Sequence, residues 1–162
     1  MKTTRLFPLE FGRLLQNRLT WLMILLTVVS PAAGLFLYKP ATATTMLSLY
    51  LANPAIAGGV VGGILFGLLT IFELDRVSRS RADVLMDAAV SPLTMALVRL
   101  LALLAVAVVT VALTMLVWLP ISMHLIGSVF GGMDYVLAYL LLMGLALPLS
   151  ILAAAAAYQF TR

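Results

Sequence analysis

Four apolar runs, each about twenty residues or more and separated by short polar segments, constrain this chain more than any other feature of its sequence. They extend from Leu19 to Tyr38, Ala52 to Phe72, Pro92 to Leu119 (with Ser91 as its cap) and Tyr135 to Tyr158. A segment crossing lipid must satisfy its own backbone amides, and none of the four alternates apolar and polar residues as a barrel strand does. The expectation is therefore an all-α, polytopic membrane protein, a single transmembrane domain over residues 1–162. With 64% hydrophobic and 10% charged residues, the composition excludes an ordinary water-soluble domain. No cysteine is present, so neither a disulfide framework nor a thiolate metal site is available.

The ten basic residues set an orientation. Lys2, Arg5, Arg13 and Arg18 precede the first run, Arg76, Arg79, Arg81 and Arg99 separate the second from the third, and Arg162 follows the fourth. Lys39 alone falls on the other side. Under the positive-inside rule both termini are expected in the cytoplasm of a cell (inner or plasma) membrane. The formal charge of +4 then reflects topology, and no nucleic-acid partner follows from it. Tyr38, Tyr50, Trp118, Tyr135 and Tyr139 are expected at the outer interface, Trp21 and Tyr158 at the inner one. Before the first run, Phe7, Phe11, Leu14 and Leu15 recur at helical spacing, with Glu10, Arg13, Gln16 and Asn17 largely away from them. This pattern predicts an amphipathic interfacial helix over residues 3–18.

Within the runs, Gly58, Gly59, Gly62, Gly63 and Gly67 form small-xxx-small pairs that allow close approach of another helix, inside the chain or across a subunit interface. Pro31 and Pro148 each remove a helical hydrogen bond, and Ser30 and Ser150 stand beside them to rebond carbonyls. No ionisable residue lies near the middle of a run, which disfavours a proton-driven carrier. His124, the one histidine, falls in the expected outer connection with Asp134, too few ligands for a metal site. No GxxxxGK[ST] loop and no nucleophile with its base stands out, so the chain reads as neither an ATPase nor another enzyme, with no directly bound cofactor.

Residues 73–91 depart from this hydrocarbon pattern. With Arg99, the segment holds eight of the sixteen charged side chains: Glu73, Asp75, Arg76, Arg79, Arg81, Asp83, Asp87 and Arg99. Ser80 and Asp83 have capping-box spacing and predict a short helix from Arg81 to Val90, with Val84, Leu85, Ala88 and Ala89 on one face and Asp83 and Asp87 on another. Ser91 is positioned to cap the next helix, with Pro92 at its first position. Positive-inside topology does not require the carboxylates, so the segment reads as a partner surface. A non-transporting tetraspan scaffold or assembly protein uses such a surface equally well.

The order of an interfacial helix, two spans, Phe72-Glu73-Leu74-Asp75-Arg76, a short helix with Val84-Leu85-Met86, Ser91-Pro92 and Arg99 opening the next span resembles the permeases of type-2 ABC exporters. The resemblance implies a transmembrane permease subunit, or its N-terminal part, whose coupling helix over Arg81–Val90 docks into a separate ATP-binding subunit. Glu73, Arg76, Arg79, Arg81, Asp83, Leu85, Asp87, Ser91, Pro92 and Arg99 would form the docking segment. ATP and magnesium would sit on that partner, and a second permease unit would complete the path. Such permeases usually have six spans, so the last two are expected to be absent, deleted or supplied by another polypeptide.

Overall fold

The computed structural model describes residues 6–37, 48–79 and 92–160. Among them there is no strand, and four helices are long and apolar enough to cross a membrane, at Arg18–Phe36, Tyr50–Arg76, Leu93–Ile126 and Gly132–Phe160. The all-α expectation holds. Helix α1 (Leu6–Gln16) precedes the first span, which is built from α2 (Arg18–Val29) and α3 (Pro31–Leu37). A π-helical turn at Ser48–Ala52 opens the second span, α4 (Asn53–Arg79). The third is α5 (Pro92–Ile126), and the fourth runs from α6 (Gly132–Ala138) through a π-helical turn at Tyr139–Met143 into α7 (Gly144–Phe160).

The break in the first span follows from Pro31. Lacking an N–H, this proline leaves the carbonyl of Thr27, four residues earlier, without its helical donor. The Ser30 hydroxyl donates to that carbonyl instead, at 2.7 Å. One residue along, the Val28 carbonyl accepts the indole N–H of Trp118 at 2.8 Å, which fastens the third span to the kink of the first. Trp118→Phe is expected to cost about 1 kcal/mol in thermal unfolding of the detergent-solubilised protein. A change within experimental error would show that this bond does not hold the two spans together. Four of the five buried threonines among the described residues follow the same rule of internal satisfaction: Thr27, Thr70, Thr110 and Thr114 each donate to the carbonyl four residues earlier, at 2.7–2.8 Å, whereas the Thr20 hydroxyl does not.

Helix packing extends two spans beyond their sequence-predicted ends. The second continues seven residues past Phe72 to Arg79, because charged residues do not interrupt a helix once its apolar part is anchored. The third passes through Pro120 to Ile126, where the sequence reading ended it at Leu119. Ser122 and Ile126 are buried, so the helix end beyond the proline is held by tertiary contacts, and before the proline the Tyr135 hydroxyl donates to the Met115 carbonyl at 2.6 Å. Gly127, at φ +67°, then turns the chain in the left-handed region that glycine enters without strain. His124 accordingly lies on the last turn of α5, not in a loop. Trp118, Tyr135 and Tyr139, expected as an outer interfacial belt, are buried inside the bundle. The two tyrosine rings are 4.8 Å apart.

The second and fourth spans form the most extensive helix pair, and the glycines of α4 set their distance. A Cβ on Gly59 would lie 2.7 Å from the Leu142 carbonyl oxygen, and one on Gly63 would lie 2.7 Å from the Ser150 hydroxyl. Gly62 faces Thr27 of the first span (2.8 Å) and Leu147 (3.0 Å), and Gly58 sits between Pro31 and Met143, 3.2 Å from each. Gly67 is looser, its nearest neighbours at 3.9 Å. These close approaches are all within the chain. Gly34 meets the backbone carbonyl of Asn53 in the same way, joining the first span to the start of the second.

Candidate functional site

Helix α1 does not turn a purely apolar stripe inward. Its buried line is Leu6, Glu10 and Leu14, at spacing of four, and it packs across the third span. Phe7 and Leu9 are exposed on the other side, Phe7 stacked on Phe11 at 5.9 Å. Glu10 is thereby carried into the protein, and α1 is an internal strut with one apolar edge facing outward.

Around Glu10 a charged cluster closes. Arg13, one turn on, contacts Glu10 through Nε at 2.8 Å and reaches Glu73 of α4 through a terminal nitrogen at 3.0 Å. Asn17 has two duties. Its side-chain oxygen accepts the Leu19 amide at 3.1 Å as the N-cap of α2, while its amide nitrogen donates to Glu73 at 2.8 Å. Arg99, two turns into α5, brings Nε within 3.8 Å of Glu10, and Arg76 stands 3.8 Å from Glu73. The interstice between α1, α4 and α5 is only about 10 Å³, so the groups are closely packed. Near the first turn of α2, Trp21 donates its indole N–H to the Leu15 carbonyl at 2.6 Å, satisfying an end of α1.

Both glutamate side chains are over nine-tenths buried, that of Arg99 is 16% exposed, and that of Arg13 is 34% exposed. A buried carboxylate loses several kcal/mol of hydration, which its bonds to nearby cations and amides must offset. Glu73 has three such neighbours, Asn17, Arg13 and Arg76. The arrangement of these side chains is chemically a clamp. It ties the leading helix to the boundary ends of the second and third spans and offers no nucleophile or metal-binding set.

The sequence reading placed Glu73 and Arg99 on a partner surface. In the structure Glu73 is buried and Arg99 is partly buried, and each makes an ion pair with a side chain of α1. Arg76 is exposed on one side of the same cluster. Arg79 is the last residue of α4 and Pro92 the first of α5. Arg81, Asp83, Leu85, Asp87 and Ser91 lie outside the described residues, as does the proposed helix that contains them. Glu10, Arg13 and Asn17 are members of the cluster that sequence reasoning missed. Their one local signal is the spacing of Glu10 with Leu6 and Leu14, and Asn17 meets Glu73 across 56 residues of sequence.

These features define the class, a polytopic helical membrane protein with a charged clamp at one end of its bundle. No protein-family model matches the chain, and no curated protein or solved structure matches it.

Proposed function

We propose that this chain is the transmembrane permease subunit, or the N-terminal part of one, of an ATP-driven exporter of the type-2 ABC class. It would sit in a cell membrane with both termini cytoplasmic, and a separate ATP-binding subunit would dock on the segment between the second and third spans. The observation that carries this reading is the clamp. The two helices flanking that segment, α4 and α5, are tied at their boundary ends to α1 through Glu73, Arg13, Glu10 and Arg99. A push on the segment would thus move α1 and both spans together instead of bending one loop. ATP and magnesium would act on the partner. A second permease unit would pack against the open groove of about 610 Å³ between the second and fourth spans, whose floor includes Gly59, Gly63 and Gly67.

Affinity purification in mild detergent, with identification of the bound subunits, tests the reading. An ATPase of the ABC class is expected in the eluate, and charge reversal at Asp83 and Asp87 is expected to reduce its recovery about tenfold, in line with the loss of a buried or partly buried charge contact. Recovery unchanged by both reversals would remove the docking assignment. One observation favours a second reading, a non-transporting scaffold: Glu73 and Arg99 both make ion pairs with α1 inside the chain. Recovery of a membrane assembly lacking an ATPase would support it.

A further inference from the structure

All four spans are irregular toward the same end of the bundle, the end away from the clamp. The first breaks at Ser30-Pro31. The second passes from the π-helical turn at Ser48–Ala52 into α4 at Asn53, where Pro54 has no N–H to return to the Tyr50 carbonyl. The third contains Pro120, which leaves the Leu116 carbonyl without its helical donor in the same way. In the fourth, the Gly144 amide donates five residues back to the Tyr139 carbonyl, and the Gly144 carbonyl in turn receives no hydrogen bond from the backbone of Pro148.

These breaks touch one another. Gly58 lies between Pro31 of the first span and Met143 of the fourth, each 3.2 Å from where its Cβ would stand. Gly34 of α3 meets the Asn53 carbonyl at the start of α4. Trp118, just before Pro120, donates to the Val28 carbonyl just before the first break. The π-helical turn at Ser48–Ala52 touches α3, α5 and α6, so the pieces beyond the breaks are joined to each other as well. At the helical rise, Glu73 in the clamp stands ~22 Å along α4 from Gly58.

We propose that the four breaks form one hinge, about which α3, the end of α5 beyond Pro120 and α6 tilt as a unit against the clamped body of the bundle. The hinge is made of positions that absorb a change of helix direction at little cost in hydrogen bonds. A proline has no amide bond to lose, and a π-helical turn passes into α-helix by shifting its amides one carbonyl along. Contact between the breaks makes them one device: bending the first span at Pro31 moves the ring that bears on Gly58, and through Trp118 it draws on the third span beside Pro120. Room for the tilt exists between the third and fourth spans, where Val111, Met115, Leu140, Gly144 and Pro148 border a pocket of about 170 Å³. The proposal is independent of the exporter reading, since it requires no ATPase and no second copy.

The chain has no cysteine, so pairs of spin labels placed on the full protein in lipid nanodiscs report its distance distributions by double electron–electron resonance. Exposed positions supply three pairs: Phe36→Cys with Met133→Cys inside the end unit, Leu25→Cys with Leu152→Cys inside the body, and Met133→Cys with Leu101→Cys across the hinge. The distribution across the hinge is expected to be about twofold wider than the other two, as for rigid-body movement about a hinge. Pro120→Ala, at an exposed position, restores the donor to Leu116, and a continuous third span would splint the other three. It should narrow the distribution across the hinge to the width of the others. Equal widths for the three pairs, whether all narrow or all wide, would overturn the proposal, as would a width across the hinge that Pro120→Ala leaves unchanged.

Discussion

Replacing Arg13 with methionine is expected to destabilise the protein by about 3 kcal/mol, one of the two largest effects of a single substitution considered for this chain. Arg13 bridges two carboxylates, 2.8 Å from Glu10 and 3.0 Å from Glu73, and both are removed from solvent. Without the guanidinium, two like charges remain under-compensated in a closely packed site. Because Arg13 is itself about one-third exposed, water softens the loss, which places the figure at the lower end of the ~3–5 kcal/mol for breaking a buried pair. Arg76→Met provides the contrast. Its contact is longer, 3.8 Å, and its side chain is 59% exposed, so a loss below about 0.5 kcal/mol is expected. Adding Glu73→Gln to Arg13→Met should recover part of the stability by removing one of the stranded charges. The three variants are compared by thermal and denaturant unfolding in a common detergent. If Arg13→Met and Arg76→Met prove equal, the clamp is not a stabilising unit.

The second large effect concerns the distance between the second and fourth spans. Gly59→Ala should destabilise the bundle by about 1–3 kcal/mol, because the new methyl would sit 2.7 Å from a backbone oxygen that cannot rotate away. Leu142, which supplies that oxygen, lies in the π-helical turn of the fourth span, so relief requires moving a helix. Gly67→Ala, two turns along the same face, meets nothing closer than 3.9 Å. It should be neutral or stabilising by up to about 1 kcal/mol, since alanine is the better helix former. Unfolding temperatures measured side by side decide the matter. Equal tolerance of alanine at both positions would mean that the two spans do not pack as closely as the Gly59 geometry requires.

The mobile and rigid parts of a transport cycle, under the exporter reading, would divide along these two features. The glycine contacts couple the second and fourth spans along their length, whereas the charged cluster couples the second and third spans to α1 at one end. Loss of the first alters helix spacing. Loss of the second frees the leading helix while leaving the glycine-packed pair in place.

What was legible in the sequence follows from the solvent. Lipid offers no hydrogen-bond partners, so a run of twenty apolar residues is committed to helix by its own backbone, and the number and approximate place of the four spans could be read from composition alone. The break at Ser30-Pro31 was legible for an equally local reason, a missing N–H with a hydroxyl beside it. Glu10 was not. Helical spacing placed it away from the apolar face of α1, and burial is acceptable there only because Arg13 is one turn away and Arg99 approaches from a helix almost ninety positions later in the chain. The same holds for the helix beyond Pro120, which local rules end and buried contacts continue, and for Trp118 and Tyr135, whose polar atoms find carbonyls inside the bundle and not an interfacial belt. The existence of the spanning helices, though not where they end, was therefore determined by the sequence itself, through the cost of an unpaired amide in hydrocarbon. Which charges face one another was decided only by the tertiary structure, because a carboxylate is stabilised by the cations that folding brings to it, whatever their distance along the chain.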